Sequence, residues 1–170
     1  MVKFDSGTLI DRAIKKAGHA DFGGDSWREG LDRLVDALNT TAQLTRDGAN
    51  MMGYRLSLLL VNRLAIEKTY RDHPEIQDQV VRGPVFVIGL PRTGTTALSQ
   101  LVAADPQMRS LRGWESGAPV PPPESATEHS DPRIAQAQAG LDYMYTAYPQ
   151  WAALHFESAE TPTECQDLLG

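Results

Sequence analysis

The sequence predicts an α/β domain, three layers built on a parallel sheet, behind a helical N-terminal region. Three observations carry this expectation. The run Val85-Phe86-Val87-Ile88 is β-branched and aromatic and does not alternate with polar residues, which suits a central strand covered on both faces. It stops at Gly89, and the segment Gly89-Leu90-Pro91-Arg92-Thr93-Gly94-Thr95-Thr96 has two glycines spaced so that the backbone can curl around an anion. Beyond Thr95, Leu98, Leu101 and Val102 recur at helical spacing until Asp105-Pro106 closes the element. The loop therefore sits on a helix N-terminus, where free N–H groups and the dipole favour negative charge. Strand, glycine loop and helix in that order make the expected fold P-loop-like, α/β/α.

Residues 1–82 read as helical. Leu9, Ile10, Ala13, Ile14 and Ala17 share one face of a helix from Thr8 to Ala17, with Gly18 as its C-cap. Asp25 or Ser26 caps a second, whose stripe is Trp27, Leu31, Leu34, Val35 and Leu38. A longer helix from about Asp47 to Tyr70 has a nearly all-round apolar middle and ends before His73-Pro74. Residues 83–170 form the second region. After the loop helix, Met108 to Leu111 reads as a second strand, parallel to the first through a right-handed crossover. That arrangement brings Glu115, just beyond it, toward the loop at the strand ends. Pro119 to Pro123 is a stiff connector, Asp131-Pro132 starts another helix, and Thr161 is expected to cap a last one.

The chain has 170 residues, enough for one domain with a real core, and a net charge of −6. An acidic chain is a poor partner for nucleic acid, so an anionic ligand must be held by a local site. The N-terminus shows no secretory pattern, and the apolar stretch Leu56 to Ile66 is short for a membrane span and broken by Asn62 and Arg63. A cytoplasmic protein without a membrane span is expected. The single Cys165 cannot form an intrachain disulfide, and no residue cluster reads as a metal site.

A nucleoside-triphosphate loop carries Lys directly after its second glycine; here that position is Thr95, and the cation inside the loop is Arg92. A guanidinium there can fork onto two oxygens of a bound phosphate or sulfonate. The bland alternative is a strand-turn-helix whose Arg92 is a solvated surface charge.

The segment GLPRTGTT resembles the 5′-phosphosulfate-binding loop of sulfotransferases that use 3′-phosphoadenosine 5′-phosphosulfate (PAPS), in the branch with Arg in place of Lys. RGPVFVIG before it, ADPQMRSL after it, Trp114-Glu115, the prolyl stretch and ETPTECQDLL are similar to the bacterial sulfotransferase-like family, from about Asp47 onward. The resemblance implies that Pro91, Arg92, Thr93, Gly94, Thr95 and Thr96 bind the donor without a metal. It implies transfer of a sulfuryl group to a hydroxyl or amine of a small-molecule, glycan or lipid acceptor. It also implies a longer protein whose 3′-phosphate contacts lie beyond Gly170, this chain being an N-terminal portion.

Arg92 is the expected stabiliser of charge in the transfer. Glu115 is the first candidate for the base and His155 the second, with Glu157 and Glu160 behind them. Two other readings stay open: a P-loop kinase or NTPase, and a non-catalytic nucleotide-binding fragment.

Overall fold

The computed structural model describes residues 3–90, 93–154 and 157–169. The chain divides into two compact units, the first running to Gln77 and the second from Asp78 to Leu169.

Local helix signals build the first unit. Helix α1 spans Ser6–Ala17; Asp5 caps it by accepting from the Thr8 N–H at 2.7 Å, and Gly18 ends it in the left-handed region at φ 78°. Helix α2 spans Ser26–Thr40 and α3 spans Arg46–Asp72, the latter capped by Thr45, whose hydroxyl accepts from the Gly48 N–H. Apolar residues at helical spacing then meet: Leu9, Ile10 and Ala13 of α1, Leu31 and Val35 of α2, and Leu56, Leu60 and Leu64 of α3 share one core with Phe4 and Phe22. Asn39 ties the chain start to α2 by accepting from the Phe4 N–H at 2.8 Å and donating to its carbonyl at 2.9 Å.

The second unit holds α4 (Thr95–Ala103), α5 (Gly113–Gly117), α6 (Pro132–Ala147), α7 (Pro149–Leu154) and α8 (Gln166–Leu169). Pro132 opens α6 at its first turn, and the Asp131 carboxylate caps it by accepting from the Arg133 N–H at 2.9 Å.

The expected three-layer parallel-sheet α/β/α fold is not found. Among the described residues there is no strand, and residues 84–90 form an irregular, open segment in which Val85, Phe86, Ile88 and Leu90 are 58%, 78%, 90% and 76% exposed. An apolar, β-branched run states that a segment favours extended, covered surroundings, but a strand exists only where a second segment supplies the other half of its hydrogen-bond ladder. No described residue supplies it here.

The expected second strand is corrected in the same way. Residues 108–111 form no strand and no bridge with 84–90; their continuation pairs instead with the far end of the chain, through an isolated antiparallel bridge between Arg112 and Pro162. The Gly113 N–H donates to the Thr161 carbonyl at 3.1 Å and the Thr163 N–H to the Leu111 carbonyl at 2.9 Å. Thr161 does not cap a helix. Its hydroxyl closes a turn, donating to the Ser158 carbonyl at 2.9 Å and accepting from the Ser158 N–H at 3.0 Å.

Candidate functional site

The loop is curled by its own residues. The Thr93 N–H donates to the Leu90 carbonyl at 3.3 Å and the Thr93 hydroxyl to the same oxygen at 2.6 Å. Gly94 then takes the left-handed conformation, φ 90°, that lets the chain turn directly into α4. The two glycines do different work. A Cβ on Gly89 would come within 2.6 Å of the Thr95 methyl and 3.0 Å of the Thr93 hydroxyl, so only a glycine lets the segment before the loop approach the segment after it.

The first bond of the new helix runs from the Leu98 N–H to the Gly94 carbonyl. The N–H groups of Thr95, Thr96 and Ala97 therefore have no intrahelical acceptor, and they stand at the positive end of the helix dipole. This is the chemistry of an anion cradle. Of the six residues expected to bind the donor, Thr93, Gly94, Thr95 and Thr96 are brought together here, while Pro91 and Arg92 lie outside the described residues.

Glu115 sits on α5 and is 3% exposed. Both of its oxygens are engaged. Oε1 accepts from Arg109 Nη2 at 2.8 Å, and Oε2 accepts from the Arg112 N–H at 3.3 Å, at the start of α5. The two arginines also reach Glu128, Arg109 Nε at 4.0 Å and Arg112 Nη2 at 3.7 Å, and Arg112 Nη1 donates to the Glu128 carbonyl at 3.2 Å. Glu115 thus carries the buried charge of a small ionic cluster. Its hydrogen-bond partners are these two arginines, and none is a loop residue.

His155 lies outside the described residues. Glu157 is bound through its backbone, its N–H donating to the Tyr145 hydroxyl at 2.7 Å and its carbonyl accepting from that hydroxyl at 2.8 Å. Glu160 is exposed, with its carboxylate 3.3 Å from His129 Nδ1.

Arg133 is a residue that sequence reasoning did not single out. Its Nε and Nη2 fork onto the two Asp131 oxygens at 2.9 and 2.7 Å, and its Nη1 donates to the carbonyls of Ala118 and Pro121 at 2.8 and 2.6 Å. The guanidinium lies 4.7 Å from the ring centre of the buried Trp114. One side chain therefore fixes the prolyl connector, the start of α6 and the tryptophan beside Glu115. The hydrogen bonds from Arg133 pull the Asp131 carboxyl down to about 2, and the same pairing raises Arg133. No local pattern announces such a residue, because its partners lie up to fifteen positions away.

The sulfotransferase family model matches residues 84–170, just over half of the chain, beginning at the apolar run and including the loop and the Glu115 cluster. The chain belongs to the sulfotransferase family. Two solved structures are similar to it: sulfotransferase STF1 from Mycobacterium tuberculosis H37Rv, at 37% identity and a TM-score of 0.83, and sulfotransferase STF9 from Mycobacterium avium, at 34% and 0.81. Each similarity covers 98% of this chain but only 46% and 44% of those proteins, so the chain spans less than half the length of either. No curated protein matches. Among the described residues no helix is long and apolar enough to cross a membrane, and no group of three or more His, Cys, Asp or Glu could hold a metal ion.

Proposed function

We propose that the protein takes part in transfer of a sulfuryl group from PAPS to an acceptor hydroxyl or amine, with the loop from Gly89 to Thr96 holding the 5′ end of the donor. The observation that carries this reading is the loop itself. Gly89 closes against Thr93 and Thr95, Gly94 turns the chain at φ 90°, and the first N–H groups of α4 have no intrahelical acceptor. Membership of the sulfotransferase family supports it. The residues present fit a phosphosulfate: N–H donors at 95–97, threonine hydroxyls at 95 and 96, and one guanidinium, Arg92, in the same eight-residue segment.

In the reaction, a bond forms from the acceptor oxygen or nitrogen to sulfur as the bridging oxygen–sulfur bond breaks. The leaving bisphosphate keeps the bonding pair, and the acceptor proton passes to a base. Arg92 and the N–H groups of Thr95 and Thr96 stabilise the charge that grows on the leaving oxygen; by the measure of other oxyanion sites, each well-aimed donor lowers the barrier by roughly 3 kcal/mol. No step calls for a metal.

Glu115 is the proposed base, with His155 as the alternative. A carboxylate whose two oxygens are both engaged takes a proton only when one is released. Arg112 holds Oε2 through backbone that also starts α5, whereas Arg109 holds Oε1 through a side chain that is 54% exposed. Arg109 is the more exposed of the two partners, so Oε1 is the oxygen assigned to the acceptor proton.

The test is transfer from PAPS to a panel of alcohols, phenols, glycans and lipids, scored by the mass gain of a sulfate. Glu115→Gln should lower the rate by roughly two to four orders of magnitude with donor affinity nearly unchanged. If Glu115→Gln turns over normally and His155→Ala does not, the base is His155. If no acceptor is sulfated and the chain does not bind PAPS, the reading is wrong.

A further inference from the structure

We propose that Glu128 is a positioning residue for the transfer: it is the second acceptor, onto which Arg109 moves when Glu115 takes the proton. The inference rests on the reading of Glu115 as the base and adds to it a two-position guanidinium.

Arg109 reaches two carboxylates at unequal distances. Its Nη2 donates to Glu115 Oε1 at 2.8 Å, while its Nε lies 4.0 Å from Glu128 Oε2. The Glu128 carboxylate is close to cations without being bonded to them. Oε2 is also 3.7 Å from Arg112 Nη2, and Oε1 is 3.6 Å from His129 Nε2, separations of an ion pair and longer than a hydrogen bond. His129 is itself drawn toward Glu160, its Nδ1 standing 3.3 Å from that carboxylate. The backbone of residue 128 is fixed, its carbonyl accepting from Arg112 Nη1 at 3.2 Å. Glu128 is therefore a placed acceptor with capacity to spare.

Proton transfer creates the need for it. Ionised Glu115 accepts from two donors at once, Arg109 Nη2 and the Arg112 N–H. When the acceptor oxygen or nitrogen gives its proton to Oε1, that oxygen carries an O–H, and an O–H facing Nη2 sets donor against donor. The Arg112 N–H belongs to the backbone at the start of α5 and keeps its hold on Oε2. Arg109, with a side chain 54% exposed, is the group that yields. Shortening the 4.0 Å separation by about 1 Å gives its Nε a charge-assisted hydrogen bond to Glu128. The guanidinium is then paired both before and after the proton moves, and it stays beside Oε1, ready to return when the proton leaves.

Glu115→Gln reproduces the protonated state, because a carboxamide has one acceptor oxygen and one donor nitrogen. The readout is solvent exchange of the Arg109 Nε–H in ¹H–¹⁵N spectra of the full chain, the signal being assigned by its loss in Arg109→Lys. Exchange should slow by about tenfold in Glu115→Gln, the protection one hydrogen bond gives, and return to the wild-type rate in Glu115→Gln/Glu128→Gln. Glu115→Met removes the acceptor in another way and replaces Glu115→Gln if that variant does not fold. In turnover, Glu128→Gln should lower kcat by about tenfold with KM for PAPS unchanged, a split that loss of fold alone does not produce. Unslowed exchange in Glu115→Gln, slowing that persists in the double variant, or normal kcat in Glu128→Gln overturns the role of Glu128 while leaving Glu115 as the base. Normal turnover in Glu115→Gln instead overturns the base reading, and the part of Glu128 in transfer falls with it.

Discussion

The two units of this chain bury different things. In the first, Leu9, Ile10, Leu31, Val35, Leu56, Leu60 and Leu64 make an ordinary helical core. In the second, the buried residues among those described are Trp114, Glu115, Ser116 and Ala159, and the large apolar residues of 80–90 are outside. One unit is held by area removed from water, which is non-directional and tolerant of small shifts. The other is held by Arg109, Arg112 and Arg133 reaching carboxylates and carbonyls, which is directional and intolerant. The unit with the family match is the one organised by polar contacts, and Glu115 of the candidate site is part of that polar frame.

The contrast is broken most strongly from the apolar side. Leu64 is fully buried, and Leu64→Ala should destabilise the first unit by about 2–5 kcal/mol through lost contacts and a residual cavity. The loss should appear in urea unfolding followed at Trp27, which stacks on Phe22 at 4.6 Å in the same unit. Binding of adenosine 3′,5′-bisphosphate by the second unit should change much less. Equal loss in both would mean that the units do not behave separately.

The polar side responds to a different change. Arg133→Met keeps some of the packing over Trp114 but leaves the Ala118 and Pro121 carbonyls and Asp131 Oδ2 without their donor, while Asp131 Oδ1 keeps only the backbone N–H of residue 133. It should cost roughly 1–3 kcal/mol, seen as a lower midpoint for the second unit. Acid should act on the same contact. Asp131 has its folded-state pKa pulled down to about 2 by the Arg133 hydrogen bonds, so its contribution is fully present above the ordinary aspartate value of about 4 and is lost as pH falls toward and through 2. Arg133→Met should remove that part of the acid sensitivity.

The smallest effect belongs to a single cap. Asp5→Ala removes the side-chain acceptor for the Thr8 N–H and should cost about 1 kcal/mol in the first unit, measurable as a shift in its urea midpoint.

The same contrast explains what could be read from the chain before its structure. A helix is a local object: Leu9, Ile10 and Ala13 declare a face within four residues, and Asp5, Thr45 and Gly18 mark ends by chemistry that acts over three or four positions. The helices of the first unit, the glycine loop and the helix after it were legible for that reason. A sheet is not local. Val85 to Ile88 carry the composition of a strand, yet no described segment pairs with them. The pairing of 111–113 with 161–163 joins stretches about fifty residues apart that share no recognisable pattern. In the site, the glycines and threonines were legible because a curled loop needs them at fixed spacing. Glu115 was legible as a candidate, but its hold by Arg109 and Arg112 was not, since an arginine written in sequence does not say which carboxylate it will meet.

The central claim is that residues 89–96 form a phosphosulfate loop in which Arg92 replaces the lysine of a nucleotide-triphosphate site. Calorimetric titration of the full chain with adenosine 3′,5′-bisphosphate and with ATP, each with and without Mg²⁺, tests it most directly when repeated on Arg92→Ala. The account predicts salt-sensitive binding of the bisphosphate that is indifferent to Mg²⁺, stronger than that of ATP, and lost in Arg92→Ala while the protein keeps its unfolding midpoint. Mg²⁺-dependent preference for ATP, or bisphosphate affinity unchanged in Arg92→Ala, would contradict it.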